Sequence, residues 1–249
     1  MLLLVHGYAE HSGRYEELAA WFADRGSAVH AFDHQGHGRS TGTRCHVGEF
    51  DDFLDDLQLV LDRVRREHPS CPVTLVGHSM GGLITAAFLI DRLPAVAGAV
   101  LSAPALVLGP GVSRSRILVS KALRWIAPRF AVGSGVDPDA LSRDPAVVRG
   151  YLEDPLVFRT MTASLAAALL EAIPETAARS AEVRVPLLVL HGEDDTLCRA
   201  HGSQAFFAGI DVPGSDIRLY PKLRHEIFNE PEREQVYRDL LDWLEREGA

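Results

Sequence analysis

Residues 73–82, Val-Thr-Leu-Val-Gly-His-Ser-Met-Gly-Gly, constrain the fold of this chain more than any other stretch. A short apolar run ends in Gly-x-Ser-x-Gly, and helical spacing begins just after Gly82. That order reads as a buried strand turning sharply into a helix, with the Ser79 hydroxyl projecting above a sheet. Glycines two before and two after the serine leave room for the turn.

The surroundings fit. Apolar runs at 2–5, 28–32, 73–76, 98–101, 187–190 and 217–220 read as strands, and segments 15–24, 50–67, 81–92 and 232–247 carry helical periodicity. The alternation predicts an α/β fold, a mainly parallel sheet with helices on both faces. Residues 2–5 are too short for a secretory leader and instead match a buried strand running into a functional loop at His6-Gly7. One connection breaks the rhythm: residues 102–186 far exceed the roughly dozen residues that a crossover needs. The expected organisation is a core of residues 1–103 and 166–249 with a helical cap inserted at 104–165.

Within that insertion, residues 113–130 carry Arg114, Arg116, Lys121, Arg124 and Arg129 with no acid, in a chain whose net charge is -9. On a helix, Leu118, Val119, Ala122, Leu123, Trp125 and Ile126 share one side and Lys121 and Arg124 lie elsewhere, an amphipathic pattern. Two readings follow: a cap helix packing its apolar side on the body, or a lid that meets an anionic or lipid surface as a peripheral membrane contact. The acidic net charge opposes sequence-independent nucleic-acid binding. No apolar stretch approaches the roughly 20 residues of a spanning helix. Cys45, Cys71 and Cys198 are odd in number and lack metal-site spacing, which favours a reducing, cytoplasmic setting over a disulfide framework.

A serine hydroxyl attacks only when a base takes its proton, and the base needs an acid to fix its tautomer. The loop after strand 187–190 holds Glu193, Asp194 and Asp195, and the loop after the last strand holds His225. The order Ser79, Asp195, His225 suits this type of fold. Asp195 is preferred on motif position, leaving Asp194 a loop residue. His34 and His37 lie three apart in a loop without a carboxylate cluster, so a structural role is expected and no metal site. His78 is expected to support the elbow and His191 the acid loop. Acyl transfer by such a triad needs no cofactor. Asp51, Asp52, Asp55 and Asp56 read as the acidic start of a helix. Cys198, three residues after Asp195, marks a candidate thiol-sensitive position.

Six stretches together carry a resemblance: HGYAEHSGRY (6–15), FDHQGHGRSTG (32–42), GHSMGG (77–82), LSAPAL (101–106), HGEDDTLC (191–198) and RHEIFNEPER (224–233). With these the chain resembles the monoacylglycerol lipases, lysophospholipase-like serine hydrolases of the α/β-hydrolase fold. The resemblance implies Ser79 as nucleophile, Asp195 as acid and His225 as base. It implies an oxyanion hole from the backbone N–H groups of Tyr8 and Met80, and Glu10 and Arg14 at the glycerol end of the substrate. The implied substrate is a monoacylglycerol or similar single-acyl lipid ester, with a lysophospholipase, a general carboxylesterase or a non-catalytic ligand receptor as alternatives.

The chain departs from that pattern twice. The N-terminal strands that family members place before the His-Gly strand are missing, which implies a start upstream of Met1 and an apolar sheet edge open to pairing. Phe228 also stands where some members carry a second histidine.

Overall fold

The computed structural model describes residues 1–110 and 122–248. Six strands form the central sheet: β1 (Leu2–Val5), β2 (Val29–Phe32), β3 (Thr74–His78), β4 (Gly98–Ser102), β7 (Leu187–Gly192) and β8 (Asp216–Tyr220). Their order is β2-β1-β3-β4-β7-β8, and every neighbouring pair is parallel. Successive side chains point to opposite faces of a strand. Leu3, Val5, Leu75, Leu101 and Val189 therefore enter one apolar cluster, and Leu2, Leu4, Val76, Val100, Leu188 and Leu190 enter another. With both faces covered, these strands read as unbroken apolar runs.

On the first face lie α2 (Asp51–Glu67), α3 (Met80–Asp91) and α5 (Ala163–Ala177), contributing Leu54, Leu57, Leu83, Phe88 and Leu165. Helix α3 is buried from Met80 to Ile90, as expected of a helix apolar all round. On the second face, α1 (Glu16–Ala23) and α7 (Arg233–Glu247) supply Leu18, Phe22, Tyr237, Leu240 and Trp243. Asp51 and Asp52 open α2 and Arg65 and Arg66 close it, charges that complement the helix dipole.

An open apolar sheet edge is the expectation from the sequence. β1 is interior, between β2 and β3, and the two edge strands are β2 and β8, neither of which has a fully buried residue. The order reverses around β1: one neighbour is the next strand in sequence and the other comes after α2. In open parallel sheets such a switch point, outside the carboxyl ends of the strands, is where ligands bind. The loops after β1, β3, β7 and β8 all emerge there.

Between β4 and β7, strands β5 (Ala131–Gly133) and β6 (Thr160–Thr162) form a two-stranded antiparallel sheet. Helix α4 (Pro145–Glu153) begins with Pro145 after Asp144, whose carboxylate accepts the Ala146 N–H at 2.8 Å. This layer is tied to the core loops: Phe158 N–H donates to the Ala9 carbonyl at 3.0 Å, and Thr162 N–H to Cys45 at 3.1 Å. Much of the expected basic amphipathic segment, including Arg114, Arg116, Leu118, Val119 and Lys121, lies outside the described residues. Over residues 122–126, which are helical, the expected facing is reversed. Trp125 and Ile126 are each 82% exposed, whereas the Arg124 guanidinium turns inward to Glu49 and Glu171. Two carboxylates on the body hold the cation, and Trp125 and Ile126 stand in solvent.

Candidate active site

Ser79 sits between β3 and α3 with φ 54° and ψ -116°, a conformation costly for any residue with a Cβ. Its carbonyl accepts from Leu83 and Ala105 N–H groups, both at 3.0 Å, and its own N–H donates to Ser102 at 2.9 Å. The flanking glycines are required by close approach. A Cβ on Gly77 would lie 2.4 Å from the Gly81 carbonyl oxygen, and one on Gly81 would lie 2.0 Å from that of Val5. The elbow is thus pressed against the end of β1, and a Cβ on Gly7 would lie 3.2 Å from the Ser79 Cβ.

The Ser79 hydroxyl is 2.9 Å from His225 Nε2, and His225 Nδ1 is 2.7 Å from Asp195 Oδ2. A carboxylate only accepts, so Nδ1 carries the proton and the Nε2 lone pair faces the serine hydroxyl. Asp195 Oδ1 accepts the N–H groups of Leu197 and Cys198 at 2.8 and 3.0 Å. Of the three acids in that loop, Asp195 is buried and meets His225, while Glu193 and Asp194 are exposed. Burial would raise the Asp195 carboxyl, but the His225 charge and hydrogen bonds from His191 and His225 hold it well below the usual carboxylate range. Burial would likewise lower the His225 imidazole; the Asp195 charge and hydrogen bond, then Glu226 and Glu10, override it and raise the pKa.

Beside Ser79, the loop after β1 brings Gly7, Tyr8 and Glu10 over the carboxyl edge. Met80 opens α3, so its N–H belongs to the first turn, which has no intrahelical acceptor. Among the described residues neither the Tyr8 nor the Met80 N–H is hydrogen-bonded. Tyr8 is fixed through its hydroxyl, which donates to the Thr160 carbonyl at 2.7 Å.

Glu10 and Arg14 form a buried cluster rather than a surface pair. Glu10 Oε1 accepts from Gly7 N–H at 2.6 Å and the Tyr15 hydroxyl at 2.7 Å, and Oε2 meets Arg14 at 3.0 Å. The guanidinium also grips Glu226 through two hydrogen bonds and lies 5.1 Å from the Tyr151 ring centroid. Against its burial, Arg14 draws the Glu226 carboxyl down to about 2. Sequence reasoning missed Glu226, although it stands directly after His225 in the stretch that carried the resemblance. Phe228 is buried against Tyr237.

His6, His34, His37 and His78 are buried close to these loops. His78 packs on the His225 ring at 4.8 Å and contacts Ser102 Oγ at 3.1 Å. Burial and then the His225 charge push its pKa down to about 4. His6, His34 and His37 cluster under the loop after β1, with His34 N–H donating to His6 Nε2 at 3.0 Å. Desolvation lowers all three imidazoles, His6 to about 4 and His37 to about 3, so they are neutral. Among the described residues no group of three or more His, Cys, Asp or Glu side chains is arranged to hold a metal ion.

Comparison with known proteins gives a consistent family. The hydrolase family described as "Serine aminopeptidase, S33" matches residues 1–232. A monoacylglycerol lipase of Mycolicibacterium smegmatis is 38% identical over 98% of this chain and 87% of its own length. Phospholipase YtpA of Bacillus subtilis is 34% identical over 96% of this chain and 92% of its length. The crystal structure of Paleococcus ferrophilus monoacylglycerol lipase superposes with a TM-score of 0.92 at 31% identity, covering 99% of this chain and 94% of that one.

Proposed function

The chain belongs to the monoacylglycerol lipase family, within the broader serine aminopeptidase S33 group of hydrolases, and on that premise we propose that it cleaves monoacylglycerols to fatty acid and glycerol through an acyl-enzyme. The observation that carries the reading is the continuous path from Ser79 Oγ through His225 to Asp195, at 2.9 and 2.7 Å.

In the proposed mechanism Ser79 Oγ attacks the ester carbonyl carbon while its proton passes to His225 Nε2. The tetrahedral oxyanion takes hydrogen bonds from the Tyr8 and Met80 N–H groups, each worth roughly 3 kcal/mol in comparable hydrolases. The bond to the glycerol oxygen breaks as the His225 imidazolium returns the proton to that oxygen. Water then attacks the acyl group on Ser79, giving its proton to His225, and collapse releases the fatty acid and restores the serine. Asp195 orients the imidazole and stabilises its cation. Glu10 and Arg14 face the glycerol end of the substrate, and residues 104–165 act as a cap over the acyl chain. Trp125, Ile126 and Phe130, exposed at 82%, 82% and 55%, supply the peripheral contact with a lipid surface.

The experiment is fatty-acid release from monoacylglycerols of graded chain length, beside lysophosphatidylcholine and triacylglycerol, with Ser79→Ala as control. Ser79-dependent turnover confined to monoacylglycerols is the expected result. Faster release from lysophosphatidylcholine would favour a second reading, a lysophospholipase, for which the similarity to a phospholipase speaks.

A further inference from the structure

The imidazole of His191 meets the outer side of the Asp195 carboxylate, and resting on the reading of Asp195 and His225 given above, we propose that His191 is a positioning residue for the reaction. Its N–H holds the Asp195 oxygen that orients the catalytic imidazole.

His191 is the penultimate residue of β7 and wholly buried. Its Nε2 is 3.1 Å from Asp195 Oδ2 and 3.0 Å from the Cys198 carbonyl oxygen. Both partners accept only, so Nε2 carries the proton. In the ring protonated only at Nε2, Nδ1 offers a lone pair, and it lies 2.7 Å from the hydroxyl of Ser203, buried on α6 (Ala200–Phe207). One neutral tautomer satisfies every contact the ring makes, and the ring is thereby fixed by two elements and one loop.

Asp195 consequently receives two N–H donors on each oxygen: Leu197 and Cys198 on Oδ1, His225 and His191 on Oδ2. Without His191, Oδ2 is held only by the ring it is supposed to orient, and the carboxylate can turn with that ring. The missing donor also leaves more negative charge for the His225 imidazolium. The other groups that face His225 are Glu226 and Glu10, which favour its cation, and His78, whose ring lies tilted against it. None of them touches His191, so an effect of His191 on His225 has to pass through Asp195.

A role limited to tying β7 to α6 makes a different forecast. The test is kcat and KM on a monoacylglycerol across pH for intact His191→Leu and His191→Gln chains, with thermal midpoints and Asp195→Asn alongside. The glutamine amide keeps an N–H donor where leucine keeps only volume. Leucine is expected to lower kcat about 10- to 100-fold, the loss of one hydrogen bond to a charged group. KM should stay within about twofold, since Asp195 acts after the substrate is bound. The acid limb of kcat/KM should move to higher pH. Glutamine is expected to restore kcat to within about fivefold and to return the limb to its wild-type position.

Equal losses in both variants with an unmoved acid limb would overturn the proposal, as would an unimpaired, folded leucine variant. If leucine prevents folding, the glutamine variant decides: a loss beyond about tenfold overturns the proposal and a smaller one with an unshifted limb upholds it. Full activity in Asp195→Asn would overturn the triad reading together with this one. Loss of activity there with an intact leucine variant would overturn this one alone.

Discussion

Arg14 donates to both carboxylate oxygens of Glu226, at 2.6 and 2.8 Å, and so pins the residue directly after His225. The cluster of Glu10, Arg14 and Glu226 carries one more negative than positive charge, and both carboxylates favour the His225 cation. Glu226→Gln removes one of these charges. The acid limb of kcat/KM should therefore move to lower pH, a shift visible in a pH-rate profile. Stability should change as well. The Glu226 carboxyl lies near 2 in the folded chain against an ordinary 4.5, so its contribution is present above the unfolded pKa and is lost as pH falls toward the folded one. That contribution is on the order of 3 kcal/mol. Denaturant unfolding at pH 7 and pH 3 should show a larger loss in the wild type than in the variant, which keeps the contribution of Asp195; equal losses in both would count against the ion pair.

Ser79 stores strain where the chemistry is proposed to occur. Its φ of 54° suits glycine better than any residue with a side chain. Ser79→Gly should abolish turnover yet raise stability by about 1 kcal/mol, or roughly 2 to 4 °C in thermal midpoint for a chain of this size. Differential scanning calorimetry of both proteins checks this. An unchanged or lower midpoint would mean that the elbow is held at no cost.

The parallel sheet was legible because burial on both faces wrote strands such as Leu2–Val5 and Leu187–Gly192 as plain apolar runs. The elbow was legible because close approach of backbone demands Gly77 and Gly81. The partner of each charge was less so. Arg124 looked like part of a solvated face, but its companions Glu49 and Glu171 are distant in sequence. Arg14 gave no local sign of Glu226, which lies 212 residues away. Periodicity reports which side of an element is apolar; long-range ion pairs decide which side faces in.

Cys198 looked reactive from its place near Asp195, but the fold argues otherwise. It is 3% exposed, and burial followed by the Asp195 charge pushes its thiol well above the ordinary range. Cys71 is exposed. Thiolates, not thiols, are alkylated. Iodoacetamide at pH 8 should therefore modify Cys71 first, with esterase activity unchanged after one equivalent. Peptide mapping alongside a rate assay tests this, and early modification of Cys198 with parallel loss of activity would contradict it.

Trp125 and Ile126 stand in solvent while Arg124 is held by the body, which turns an electrostatic expectation for this segment into an apolar one. Immersing two such side chains in a bilayer interface is worth roughly 3 to 5 kcal/mol, well above the contribution of one surface charge. Flotation with vesicles should therefore recover the wild-type chain both with and without anionic lipid. Trp125→Ser combined with Ile126→Ser should reduce recovery at least about tenfold. Neutralising Arg124 should instead loosen the contact with Glu49 and Glu171 and lower the thermal midpoint, leaving lipid binding intact in the folded fraction. Recovery that depends on anionic lipid and not on Trp125 would restore the electrostatic reading.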